Sequence, residues 1–290
     1  MSLHISFPPL VREIAIDPEN VSLIQAGLYQ CKRAPTPNSS PMQPKYLTEH
    51  VTRTYRTLRF ALALIAFALP PLLWIGGHLE AGLPLQDSMS AYYHRGPATD
   101  GLGGANEGVM RDSFVGLLFS VAFLLFIYQG YTKREDWALN LAALFALGVA
   151  VFPMPWDGFE ALSFKAGDMT LSLHYICAMG LFACIAYVCI RRAADTVGLL
   201  HNPEKERKYR ITYKMLGWAM IASPLMAFVV SGVLKRGGSL TFFLEAAGIY
   251  VFAIYWTVKS RELRESDAEK KAVHGRLWHT DNPARQIEEK

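Results

Sequence analysis

The sequence predicts an all-α, polytopic membrane protein: a bundle of six transmembrane helices with both termini in the cytoplasm. Three observations carry that prediction. Charged residues make up only 19% of the 290 residues and hydrophobic ones 51%, whereas soluble domains hold about 25% charged residues. Six apolar runs follow one another, approximately over 59–79, 112–131, 138–154, 171–191, 213–233 and 239–258. At about 1.5 Å per residue each spans a hydrocarbon core of roughly 30 Å, the third being the shortest. Lys and Arg are also divided unequally between alternate connections, 24 on one side and 5 on the other. The positive-inside rule places the richer side, with both termini, in the cytoplasm.

Taken in order, residues 1–57 form a cytoplasmic segment. Arg12, Glu13, Asp17 and Glu19 interrupt it, so no cleavable signal peptide is expected and the first apolar run acts as an uncleaved anchor. Asp17-Pro18-Glu19 starts a helix, with Asp17 as N-cap and Pro18 at its first position. Val21, Ile24, Leu28 and Cys31 give that helix one apolar face. The Pro- and Ser-rich stretch 34–45 is a linker.

The transmembrane domain covers 58–258, and a charged cytoplasmic tail covers 259–290. Pro70-Pro71 kinks the first crossing and Pro224 the fifth. Ala142, Ala146 and Ala150 place small residues on one face of the third, which predicts a close helix contact. The four cysteines (Cys31, Cys177, Cys184, Cys189) contain no CxxC pair and are expected to be free thiols. Trp74 and Trp156 near outer ends, and Trp137 and Trp256 near inner ends, fit interfacial belts. The net charge of +4 does not imply a nucleic-acid partner, because the basic residues sit in loops and tails beside apolar helices. Membrane lipids are the expected partners, and a bacterial inner membrane the expected location. Lys235-Arg236 is the exception to the charge rule, falling on the side that is otherwise poor in cations.

The chemistry-bearing residues gather on the outer side. Gln86-Asp87-Ser88-Met89-Ser90-Ala91-Tyr92-Tyr93-His94 lies between the first two crossings, and Arg111-Asp112 stands at the mouth of the second. Asp157 and Asp168 flank the third and fourth, His174 enters the fourth, and Glu245 sits six residues into the sixth. Each has a structural alternative. Asp112 and Asp168 suit helix N-termini. Ser88 and Ser90 suit a turn, Tyr92 and Tyr93 an interfacial belt, and a lone histidine a hydrogen-bonded packing role. The Gly-rich stretch 96–108 is a flexible insertion without a phosphate-binding fingerprint. Glu245 is the hardest to explain structurally, because an ionisable group inside a bilayer costs a few kcal/mol unless paired or protonated.

Ser90-Ala91-Tyr92-Tyr93-His94 followed by Asp112 resembles the Ser-x3-His and Asp pattern of alkaline-ceramidase-like membrane hydrolases, a superfamily that includes the progestin and adiponectin receptors. The stretch from Ser88 to Tyr131 (SMSAYYH, RDSFVGLLF and YQGY) is also similar to a group of uncharacterised bacterial polytopic membrane proteins. The first resemblance implies a zinc site inside the bundle. His94, His174 and His78 would be the ligands and a bound water the attacking group. Asp112 would orient that water or act as base, and Ser90 would contribute a hydrogen bond.

Three functions of different classes follow. One is a membrane protein with an outward-facing His/Asp/Ser pocket, with Tyr93, Arg111 and Glu245 beside it. Another is a zinc-dependent hydrolase of a lipid amide or ester. The last is a cation- or proton-coupled binding or transport protein, which the intramembrane ionisable groups favour. In the last, Glu245, His174 and Asp112 bind the cation or relay protons; if the cluster is one site, Ser90, His94, Asp112 and His174 line a single outer pocket.

Overall fold

The computed structural model describes residues 44–94, 108–156, 161–166, 169–230 and 238–273. The chain divides into two units at Leu47, and the bundle lies in the second, Thr48–Lys290. The helices are α1 (Pro44–Pro71), α2 (Gly77–Ala81), α3 (Val109–Ile127), α4 (Lys133–Val151), α5 (Leu173–Tyr187), α6 (Pro203–Phe228), α7 (Ser239–Ser266) and α8 (Ala268–Val273). A π turn (Leu72–Gly76) joins α1 to α2, and another (Val188–Arg192) continues α5. Pro70 and Pro71 remove two N–H donors, and the turn that follows is widened rather than broken. The expected kink is therefore an expanded turn.

Four helical stretches are long and apolar enough to cross a membrane: Tyr46–Glu80, Val109–Ile127, Leu173–Leu199 and Ser239–Ser266. The third and fifth apolar runs also form helices, α4 and α6, but fall short of that standard. α4 opens on Lys133-Arg134-Glu135-Asp136, and the described part of α6 stops within its apolar run, beside residues 231–237.

Local chemistry sets the helix ends. Thr132 caps α4, its hydroxyl accepting from Glu135 N–H at 3.2 Å. Asn202 caps α6 by accepting from the N–H groups of Glu204 and Lys205, with Pro203 in the first turn. The sequence did not point to the antiparallel hairpin β1 (Ser163–Ala166) and β2 (Met169–Ser172). It runs straight into α5, and Ser172 caps that helix by accepting from Tyr175 N–H at 3.4 Å. His174 consequently lies in the first turn of α5.

Two hydrophobic clusters fill the bundle. One, at the end that carries the 3-10 turn and hereafter the outer one, includes Leu69, Tyr92, Met110, Phe114 and Phe242; the other, at the opposite end and hereafter the inner one, includes Leu62, Leu125, Tyr128, Ile185, Tyr213 and Trp256. Ala142, Ala146 and Ala150 are buried at 0%, 0% and 2% exposure, and α4 packs closely on both α3 and α5. A Cβ on Gly180 would come within 2.6 Å of the Phe145 ring, so α4 and α5 meet at a separation that tolerates no added methyl. Cys177, Cys184 and Cys189 are free thiols.

One expectation is corrected at the end of the bundle that holds Arg59 and Lys259. Trp256 is no belt residue: it is fully buried, edge-on to Tyr128 at 4.9 Å. Arg59 and Lys259, which the charge tally assigns to the cytoplasm, are both 1% exposed. Arg59 pairs with Glu269 at 2.5 Å, and Lys259 with Glu262 at 3.0 Å. Both stand at the ends of apolar runs; Lys259 pairs three residues along α7, and Arg59 pairs with Glu269 of α8, 210 positions away. The segment around Asp17, the linker 34–43, Cys31, Asp157, Asp168, Lys235 and Arg236 lie outside the described residues, as does most of the Gly-rich stretch.

Candidate functional site

The stretch between α2 and α3 folds as an extended segment closed by a 3-10 turn, Met89–Tyr93. Ser88 caps that turn, its Oγ accepting from Ser90 N–H at 3.1 Å. Ser88 in turn donates to the Glu245 carboxylate, 2.9 Å from each oxygen, and Met89 N–H donates to the same carboxylate at 2.7 Å. Glu245 thus ties α7 to the turn that carries Ser90. Its partners among the described residues are a hydroxyl and a main-chain amide. Tyr92 is fully buried against Phe242 and Gly77, so it belongs to the core and not to an interfacial belt.

The segment leaving α4 anchors both outer imidazoles. Phe152 O lies 2.8 Å from His174 Nδ1, and Met154 O lies 2.9 Å from His94 Nε2. A carbonyl oxygen only accepts, so each of these nitrogens carries the proton it donates. In neutral His174 this leaves Nε2 as an acceptor. It faces Ser90 Oγ at 2.9 Å, and the hydroxyl donates to it. His174 is 2% exposed. His94 stacks on Trp156 with ring centroids 5.3 Å apart, and Tyr93 meets it edge-on at 5.1 Å.

Ser88, Ser90, His174 and Glu245 line one cavity of about 460 Å³, joined there by Asp87, Tyr175 and Thr241. Apart from Ser223, the remainder of its wall is apolar. It runs past Leu69, Phe114 and Leu118 to Ile185 and Phe252, where the inner hydrophobic cluster begins. Tyr175, Met179 and Phe228 belong to the lining and are also more than a third exposed, so the cavity reaches the outer face of α5 and α6.

The sequence-derived set is therefore brought together in part. Ser90, His174 and Glu245 share the cavity, while His94 and Tyr93 pack behind it through the Phe152–Met154 segment. Asp112 does not join them. Its side chain is 71% exposed in the first turn of α3 and pairs with the half-exposed Arg111 at 3.1 Å, a position that suits the helix dipole. His78 is exposed on α2 and outside the lining. Among the described residues no three His, Cys, Asp or Glu side chains converge as a metal-ligand set. The zinc ligands His94, His174 and His78 do not assemble, because His174 Nε2 is engaged by Ser90 and His94 Nε2 by a carbonyl. The hydroxyl–imidazole pair takes the place of the metal site.

Comparison with family models, with curated proteins and with solved structures finds no match. The function is argued from this geometry alone.

Sequence reasoning missed Thr241, Tyr175 and the two carbonyls. Thr241 precedes Glu245 by four residues, so helical spacing from that site residue would have found it; Tyr175 follows His174 directly, a spacing that points to a different face. Main-chain carbonyls leave no trace in residue identity.

Proposed function

We propose that this chain is a multi-pass enzyme of the bacterial inner membrane, crossing six times with both termini cytoplasmic. Its outward-facing cavity takes the acyl chain of a membrane lipid amide or ester and cleaves the acyl bond through Ser90 and His174. The observation that carries the reading is the 2.9 Å bond from Ser90 Oγ to His174 Nε2, at the polar end of an otherwise apolar cavity. Ser90 Oγ attacks the acyl carbon while its proton passes to Nε2. His174 returns that proton to the departing nitrogen or oxygen as the C–N or C–O bond breaks, and water repeats the sequence to release the acid. The Phe152 carbonyl holds Nδ1–H and with it the productive tautomer, the role an aspartate plays in a catalytic triad. Asp87 and Glu245 line the cavity and no Lys or Arg does among the described residues, so a neutral headgroup suits it better than an anionic one.

Two variants test the reaction. With p-nitrophenyl laurate in proteoliposomes, Ser90→Ala and His174→Gln should each lower kcat/KM by about a thousandfold or more. A Ser90→Ala protein within a few-fold of the natural one would remove Ser90 as nucleophile. The charge asymmetry supports the topology. An impermeant maleimide should label a cysteine placed at Ala105 but not one placed at Asn202 in intact cells. Labelling at Asn202 would reverse the orientation and turn the cavity to the cytoplasm.

One observation favours a second reading, a cation- or proton-coupled binding protein: two carboxylates line the cavity without a lining cation. Proton flux into liposomes that depends on Glu245, with no turnover of any acyl substrate, would select it.

A further inference from the structure

Ser88, Ser90, His174 and Glu245 are bonded in the network above, and Thr241, buried beside them, is not. Thr241 stands in the first turn of α7, is 6% exposed and lines the cavity. Its Oγ1 is buried and has no hydrogen-bond partner among the described residues. A buried hydroxyl left in this state loses its hydration without return. A valine of the same shape would avoid that loss, so the hydroxyl stabilises nothing among the described residues.

Its position gives it a use. Thr241 and Glu245 are four residues apart on one face of α7, about 5–6 Å between Cβ atoms. Glu245 holds Ser88 and Met89, and Ser88 holds the amide of Ser90. The free hydroxyl therefore lies about one helical turn from the turn that carries the nucleophile. Apart from the Tyr175 hydroxyl, on a side chain more than a third exposed, the other groups there do not serve a carbonyl oxygen. Glu245 and Asp87 are acceptors when ionised, His174 Nε2 is an acceptor, and the N–H groups of Met89 and Ser90 are already used.

We propose that Thr241 Oγ1 donates to the carbonyl oxygen of the bound acyl group and stabilises the negative charge that grows there when Ser90 attacks. This rests on the acyl-transfer reading of the same cavity and adds the donor which that reading lacks. The bond strengthens as the C=O becomes a C–O single bond, so the effect belongs in kcat more than in KM.

Three measurements test it on the full-length protein. In p-nitrophenyl laurate hydrolysis, Thr241→Val should lower kcat by about a hundredfold with KM little changed, and Thr241→Ser should restore most of the rate. Thermal unfolding of Thr241→Val should come at or above the temperature of the natural protein, which a merely structural hydroxyl would not allow. The third readout needs no turnover. Laurate ester labelled with ¹³C at the carbonyl, bound to Ser90→Ala, should show its C=O stretch at lower frequency than in lipid, and adding Thr241→Val should abolish that shift. An unchanged kcat in Thr241→Val, or a C=O stretch indifferent to residue 241, overturns the proposal. Hydrolysis that survives Ser90→Ala while the infrared shift still depends on Thr241 overturns only the assignment of the nucleophile.

Discussion

Replacing Lys259 with Met is expected to destabilise the bundle by about 3–5 kcal/mol, because it strands a buried carboxylate. Lys259 Nζ donates to Ala193 O at 2.9 Å, Thr196 Oγ1 at 2.8 Å and Glu262 at 3.0 Å, which satisfies all three of its protons. Glu262 is fully buried. One of its oxygens accepts from Lys259, Thr196 and Tyr213, and the other has no hydrogen-bond partner among the described residues. Without the ammonium that carboxylate keeps only two neutral hydroxyl donors. The comparison that isolates the charge is the double variant Lys259→Met/Glu262→Leu, which removes both ions and should regain much of the loss. Heat unfolding in mild detergent measures this. A single Lys259→Met variant within about 1 kcal/mol of the natural protein would mean that water reaches Glu262 and that the inner end is open.

The second large effect concerns the outer end. Glu245→Leu should abolish turnover and cost about 2–5 kcal/mol, since it leaves the Ser88 hydroxyl and the Met89 amide without their acceptor. Both residues are buried, at 9% and 3% exposure, so water does not readily replace the carboxylate. Glu245→Gln retains one carbonyl oxygen at the same place and should keep most of the stability and a measurable part of the rate. The ordering Gln above Leu distinguishes a positioning carboxylate from an incidental one. Equal stability and turnover in the Leu variant would detach α7 from the Ser90 turn and leave the cavity's geometry without its anchor.

Much of the architecture was legible without coordinates because hydropathy acts over whole segments. Twenty consecutive apolar residues must be a buried or lipid-facing helix whatever surrounds them, since backbone groups in hydrocarbon have to be satisfied internally. The six apolar runs accordingly became helices, and the small-residue face of α4 became a close contact. Glu245 was legible too, because a carboxylate among apolar residues needs a polar partner wherever the chain goes. Ser90 and His174 could be singled out as residues, but their bond could not: 84 positions separate them, and they meet only once the 3-10 turn has packed on α3 and α7 and α5 has packed on α4. The misplaced assignments share one cause. Asp112, His78, Trp256 and Lys259 were placed by depth along the chain, and depth says nothing about which side of a helix a residue occupies. Rotation about the helix axis sends Asp112 outward and Trp256 and Lys259 into the core. It is decided by which neighbouring helix supplies complementary groups, such as the Phe152 carbonyl for His174 or Thr196 for Lys259, and that information exists only once the helices have packed.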